Sequence, residues 1–214
     1  MRILFLTDSL SLPRVNEEEI VLYENTYLYK LREEFKDHLI VDSAIGGGTI
    51  KDLYQQVFYY KSFMPDLVIL QSGIVDCAPR AYKKIERKIL VKLKLINKVK
   101  SLTRFLRKNR GYTLTKPKLF KHYILLIKQT FGSTPFYSLG ILNASDKYEI
   151  KVPGIKNNIK KYNSILLNQT TYITNNDIPF DAIMNDHHHL NKKGHKMVFE
   201  KLSELIKNIT DESI

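Results

Sequence analysis

One cysteine, Cys77, is present in 214 residues. That excludes an internal disulfide framework and fits a reducing compartment. Nothing basic or activating is fixed beside it in the sequence, so it reads as an inert thiol rather than a nucleophile. Long apolar runs are missing too. The stretch from Ile3 to Leu6 is far too short for a signal-peptide core or a membrane span, and no later stretch approaches ~18 uncharged apolar residues. A cytoplasmic protein is expected. Three motifs are also lacking: no Gly-Lys-Ser/Thr completes a phosphate loop, no dinucleotide fingerprint follows a strand, and no His-Glu-x-x-His sits on a helix. These absences remove nucleotide-dependent and zinc-protease chemistries from the leading readings.

Acidic residues are scarce in one region only. Of the 34 Lys and Arg, seventeen fall between Arg80 and Lys128, where the only acid is Glu86; the remaining chain carries 17 basic and 21 acidic groups. The formal charge of +12 therefore belongs to one segment. Within it Ile85, Ile89, Leu93, Ile96, Val99, Leu102 and Leu106 recur every three or four residues, which predicts a cationic amphipathic helix; with a break at Gly111 to Pro117 and another helix from Leu119 to Phe131, it makes a helical insertion at about 81–130. Such a helix suits packing on the domain with a solvated basic face, or contact with an anionic membrane surface or polysaccharide, which would place the protein at the inner face of a membrane. Nucleic acid is disfavoured, because aromatic residues are not interleaved with the charges as stacking platforms.

What is present is an alternation of strand and helix signals on a chain that is 43% hydrophobic, enough for the core of one domain spanning 1–214. Arg2 to Thr7 forms an apolar run ending at Asp8-Ser9. Asn16 with Glu19 three residues on resembles a capping pair, and Ile20, Tyr23, Tyr27, Leu31 and Phe35 predict one helix from there, with Glu17, Glu18 and Glu19 suiting its dipole. His38 to Asp42 reads as a second strand leading into Gly46-Gly47-Gly48-Thr49, whose glycines serve either a plain turn or backbone contact with a ligand. Asp66 to Leu70 is a continuous apolar run of the kind buried on both faces of a parallel sheet. Pro135 to Leu142 and Thr171 to Ile173 complete five strands, and Lys193 to Ile209 is a closing amphipathic helix. The fold class expected is α/β, a flavodoxin-like three-layer sandwich around a five-stranded parallel sheet. Ser9, Gly47 and the Gly73 to Asp76 turn then share the carboxyl edge of the sheet, where ligands collect in such folds.

The loop Asn185-Asp186-His187-His188-His189-Leu190-Asn191 holds half of the six histidines next to an acid. Three adjacent histidines do not readily converge on one ion, and no cysteine or second histidine motif supports a metal. A histidine and a carboxylate in one loop do supply a base and its orienting partner for a serine nucleophile.

At these residues the chain resembles the SGNH (GDSL-type) hydrolases. Thr7-Asp8-Ser9-Leu10 matches the family's first block, Ile45-Gly46-Gly47-Gly48-Thr49 its second, Gly73-Ile74-Val75-Asp76 its third, and Asp186-His187-His188-His189-Leu190-Asn191 its fourth. Tyr162-Asn163 looks like a pair in the penultimate helix. The resemblance implies the SGNH-hydrolase fold, with Ser9 as nucleophile, His189 as general base and acid, and Asp186 as its orienting carboxylate. It implies the N–H groups of Ser9 and Gly47 as oxyanion donors, and no metal or organic cofactor. Thr7 stands in place of a glycine and Leu190 in place of a proline. Val75 stands where the family has an asparagine that completes the oxyanion hole, and Asp76, Gln71, Ser72 and Arg80 are the alternative donors nearby.

The activity implied is that of a serine esterase or O-acyl hydrolase, a deacetylase among the options, on an acylated small molecule, glycan or lipid. Two rivals are an acyltransferase with the same triad and a catalytically weak binding protein that docks through its basic segment. Loss of the asparagine at position 75 is the feature that favours the latter.

Overall fold

The computed structural model describes residues 1–16 and 18–211. Its centre is a parallel sheet formed by β1 (Arg2–Thr7), β4 (Leu39–Ala44), β5 (Leu67–Gln71), β6 (Phe136–Leu139) and β7 (Thr171–Ile173), in the order β4-β1-β5-β6-β7. The two remaining strands, β2 (Arg14–Val15) and β3 (Ile20–Val21), form a small antiparallel hairpin outside it. Counted within the main sheet this is the flavodoxin-like order 2-1-3-4-5, with right-handed crossovers expected between parallel neighbours. Ile3, Leu4, Phe5 and Leu6 of β1 and Leu67 to Leu70 of β5 are fully buried, which explains their unbroken apolar sequence. Each such side chain contributes about 1.5–3 kcal/mol on burial.

Register matters most for function. Thr7 lies opposite both Ala44 and Gln71, and Gln71 opposite Leu139, so the central strands end level and their following turns meet at one edge. Helices cover both faces. On one, α1 (Tyr27–Glu34) packs against the closing helix α9 (Lys192–Asp211); on the other, α6 (Pro117–Phe131) lies between α2 (Ile50–Tyr60) and α8 (Ile155–Gln169). Thr49 and Asp52 form a reciprocal cap at the start of α2, and Pro117 opens α6 where its missing N–H costs nothing.

Two expected helices differ. No helix starts at Asn16, whose side chain instead accepts from the N–H groups of Glu18 and Glu19 and closes the turn between β2 and β3. Such local bonding competes with helix formation. Glu17 lies outside the described residues. The helix begins at Thr26, whose hydroxyl caps Tyr29 N–H, so of the predicted apolar face Tyr27 and Leu31 belong to α1 while Ile20 and Tyr23 precede it.

The basic segment is also not one helix. The stripe from Ile85 to Leu106 divides between α4 (Lys84–Lys92) and α5 (Thr103–Arg110), with Lys94 in left-handed backbone between them, and α6 follows as the separate helix expected from Leu119 to Phe131. The first part of that apolar stripe finds no core: Ile85, Ile89 and Leu93 are 73%, 52% and 58% exposed. Without burial, helix propagation rests on weak local terms, and like charges such as Lys88 and Lys92 at i,i+4 oppose it. Arg110 joins α5 to α4 through both oxygens of Glu86. Among the described residues no helix is long and apolar enough to cross a membrane. Between β5 and the basic segment lies α3 (Ile74–Cys77), and α7 (Asp146–Lys151) precedes α8.

Candidate active site

Ser9 follows β1 directly, on a single 3-10 turn capped by Asp8, whose Oδ1 accepts from Leu10 N–H. Thr7, in place of glycine, is accommodated because its hydroxyl pairs with that of Ser11 at 2.7 Å. The turn aims Ser9 Oγ at His189 Nε2, 2.9 Å away across 180 residues of sequence, and both residues are only 6% exposed.

The loop carrying His189 is folded back on itself. His187 adopts φ of 76°, a left-handed conformation uncommon outside glycine, asparagine and aspartate. The reversal lets Asp186 Oδ1 accept from the N–H groups of His188 and His189 while its Oδ2 meets His189 Nδ1 at 2.6 Å. An ionised carboxylate only accepts, so the ring proton sits on Nδ1 and the Nε2 lone pair faces the serine. Burial raises the pKa of Asp186, but the hydrogen bond from His189 and the neighbouring imidazole charges outweigh it and hold the group below the ordinary carboxylate range. Leu190, in place of proline, is buried and bridges to Ile183.

His188 has a different setting. Its ring stacks on Tyr148 at 12° between planes, and burial, with the charge of His189, lowers its pKa to about 4, so it is neutral at pH 7. Asp186, His188 and His189 each present one donor atom within 4.8 Å of the others, a spacing that would admit a cation. In the geometry observed both Asp186 oxygens already accept hydrogen bonds, and His189 Nε2 faces Ser9.

Two glycines shape the opposite wall. Gly47 has φ of +69° in the turn after β4, and its N–H, like that of Ser9, donates to no other described group. Gly73 has φ of +134°, and a Cβ there would lie 2.5 Å from Ile141 Cδ1. That close approach seats α3 so that Val75 lines the same cavity as Ser9, Gly47 and His189, about 630 Å³ in volume. Valine supplies no donor there.

Of the alternative donors, three are turned inward. Asp76 is fully buried and accepts from Ile50 N–H at 3.1 Å and from the Ser72 hydroxyl, so it serves the start of α2 and is not among the residues lining the cavity over Ser9. Gln71 accepts from the Tyr27 hydroxyl, which with the Ser72 bond engages both remaining candidates inside the fold. Arg80 alone lines the cavity, donating from Nη2 to the carbonyl of Val75. Tyr162 and Asn163 stay structural: Asn163 clamps Ile141 by bonds to its N–H and C=O, and Tyr162 donates to Thr115. The sequence did not reveal Arg14 and Arg107 as cavity residues. One comes from a hairpin read as helix and loop, the other from a segment read as a surface face.

Two buried acids lie beneath the site. Burial pushes the Asp8 carboxyl up to about 7 and that of Asp76 up to about 6, in each case against hydrogen bonds that favour the charged form. An acid with a raised folded-state pKa contributes most below its unfolded value of 3.8 and loses that contribution as pH rises through the folded value. The denaturant midpoint is therefore expected to be lower at pH 8 than at pH 5. Asp8→Asn should flatten the dependence, by on the order of 3 kcal/mol or less at about 1.4 kcal/mol per pKa unit. Asp186, with its depressed pKa, acts oppositely and only below about pH 4.

No family model matches the chain, and no curated protein is similar to it in sequence. Solved structures are similar in fold. A lipase/acylhydrolase from Enterococcus faecalis superposes with a TM-score of 0.69 at 11% identity, over 97% of this chain and 95% of that one. An acetyl xylan esterase gives 0.62 at 16% identity over 96% and 100%, and a GDSL-like lipase from Bacteroides thetaiotaomicron 0.61 at 11% over 97% and 88%. With identities this low the likeness is one of architecture: the chain has the SGNH-hydrolase fold of GDSL-like lipases and esterases.

Proposed function

We propose that the protein is a serine hydrolase of O-acyl esters, with Ser9 as nucleophile, His189 as general base and acid, and Asp186 as the group that orients His189. The observation that carries this is the continuous chain from Ser9 Oγ through the imidazole to Asp186, at 2.9 and 2.6 Å, at the carboxyl edge of the sheet. Ser9 Oγ attacks the acyl carbonyl as its proton passes to His189 Nε2, and Asp186 stabilises the imidazolium. The oxyanion of the tetrahedral intermediate meets the N–H groups of Ser9 and Gly47. Collapse expels the alcohol, which takes the proton from His189. Water then attacks the acyl-serine, gives its proton to His189, and the carboxylic acid leaves as Ser9 is restored. An alcohol in place of water would make the same steps an acyl transfer. Covalent labelling by a fluorophosphonate, together with release of p-nitrophenol from p-nitrophenyl acetate, tests the assignment.

Val75 predicts a slow enzyme that can be improved. One oxyanion donor is worth about 10²–10³ in turnover, so Val75→Asn is expected to raise kcat on p-nitrophenyl acetate by about 10–10²-fold with little change in KM. An unchanged kcat would mean that another group, Arg80 first among them, already fills that place.

A further inference from the structure

The cavity over Ser9 and His189 has an unusual lining. Four arginines enter it, and among the described residues no carboxylate does. Arg14 comes from the β2–β3 hairpin, Arg80 from the strand-like segment after α3, Arg87 from α4 and Arg107 from α5. Four separate elements thus converge, which the solvated face of one basic helix would not produce.

Among the described residues none of the four arginines forms an ion pair with an acid. Glu86, next to Arg87 in sequence, is paired with Arg110 instead. Backbone carbonyls anchor two of the four: Arg80 donates from Nη2 to Val75 O, and Arg107 from Nη1 to Lys151 O at 3.0 Å. The Nε atoms of Arg14, Arg80 and Arg107 are shielded from solvent and have no hydrogen-bond partner among the described residues. A buried donor left unmade is costly, and more so on a charged group. Burial and the nearby Arg80 charge both lower the pKa of Arg107, the mark of cations crowded together without a counter-ion.

Guanidinium forks match the oxygens of phosphate and carboxylate, and phosphate brings up to two negative charges and three acceptor oxygens. Four arginines with no carboxylate among the described lining residues favour the more highly charged of the two. Resting on the hydrolase reading of Ser9, we infer that the cavity is built for an O-acyl ester that also carries a phosphate group, held by Arg80 and Arg107 and flanked by Arg14 and Arg87, with the ester carbonyl at Ser9. The phosphate is a handle and is not cleaved.

The test compares acetate release from 1-acetylglycerol 3-phosphate and from 1-acetylglycerol. The phosphorylated ester should be favoured in kcat/KM by at least about 30-fold, and Arg80→Gln or Arg107→Gln should each cut that ratio about tenfold or more. Arg104→Gln, on α5 but outside the cavity lining, should leave the ratio alone. Arg87→Gln, at an exposed position, provides a second variant should the anchored arginines prove necessary for folding. Equal kcat/KM for the two esters, or a ratio indifferent to Arg80, Arg87 and Arg107, overturns the proposal. So does equal preference for O-acetyl-lactate, which would indicate a general anion site. Calorimetric titration of the Ser9→Ala protein with glycerol 3-phosphate and glycerol separates this from the catalytic assignment. Saturable binding of the phosphate alone, weakened by Arg107→Gln, upholds the pocket even where no ester is cleaved, and in that case the hydrolase reading fails by itself.

Discussion

Alanine at position 9 is expected to abolish fluorophosphonate labelling and to lower kcat/KM for p-nitrophenyl acetate by about 10⁴–10⁶-fold, to a residue set by binding and the remaining oxyanion donors. The size of the loss follows from what Ser9 does in the structure. Among the described residues the only hydrogen bond of its side chain is to His189 Nε2, so removing Oγ takes away the proposed nucleophile without breaking a support of the fold. The turn around it is held by Asp8, Thr7 and Ser11, none of which bonds to Ser9 Oγ. Thermal unfolding should therefore be close to that of the parent protein, and the kinetic loss should appear in a correctly folded chain. Labelling that persists in the alanine protein, located by peptide mass mapping to another residue, would refute Ser9 as nucleophile. Cys77 offers no substitute, because it is fully buried and burial, first of all, drives its thiol pKa well above the usual range.

The sheet was legible because its signals are local. Continuous apolar runs at β1 and β5 say that both faces are covered, and polar or glycine-rich turns after them mark the edge where the site lies. The Asp186 and His189 spacing was legible for the same reason, since one loop contains both. Elements whose form depends on distant packing were misread. The stripe from Ile85 to Leu106 has helical periodicity, yet Ile85, Ile89, Leu93 and Leu102 stay exposed, and the helix breaks at Lys94. Asn16 and Glu19 carry a capping pattern, but the same side chain can close a hairpin turn, and tertiary context decides between them. The direction in which Asp76 points was likewise beyond reach. A one-turn helix after Gly73 sends adjacent side chains to opposite destinations, Val75 to the cavity and Asp76 to the start of α2. The composition did locate the positive charge in one segment. It did not announce that four of those cations are gathered from separate elements around the serine.

The second large effect is expected at Asp186. Asparagine there should keep the loop, since its side-chain oxygen can still accept from the N–H groups of His188 and His189 as Asp186 Oδ1 does. It should not keep the proton where it is needed. The asparagine amide would donate toward His189 Nδ1, so that nitrogen becomes the acceptor and the ring proton moves to Nε2, which then cannot take the proton of Ser9. A loss of about 10⁴-fold in kcat with KM nearly unchanged is the expected result. The split between the two constants is informative, because a loop that had merely loosened would disturb the cavity wall shared by His188 and His189 and raise KM as well. Stability gives a second reading of the same substitution. The depressed pKa of Asp186 means that its charge favours the folded state at neutral pH, a contribution lost only as pH falls below about 4. The asparagine protein should thus be less stable than the parent at pH 7 and converge on it in acid. A kcat reduced less than tenfold, in protein showing that convergence, would leave Asp186 as a structural partner of His189 and remove it from the catalytic chain.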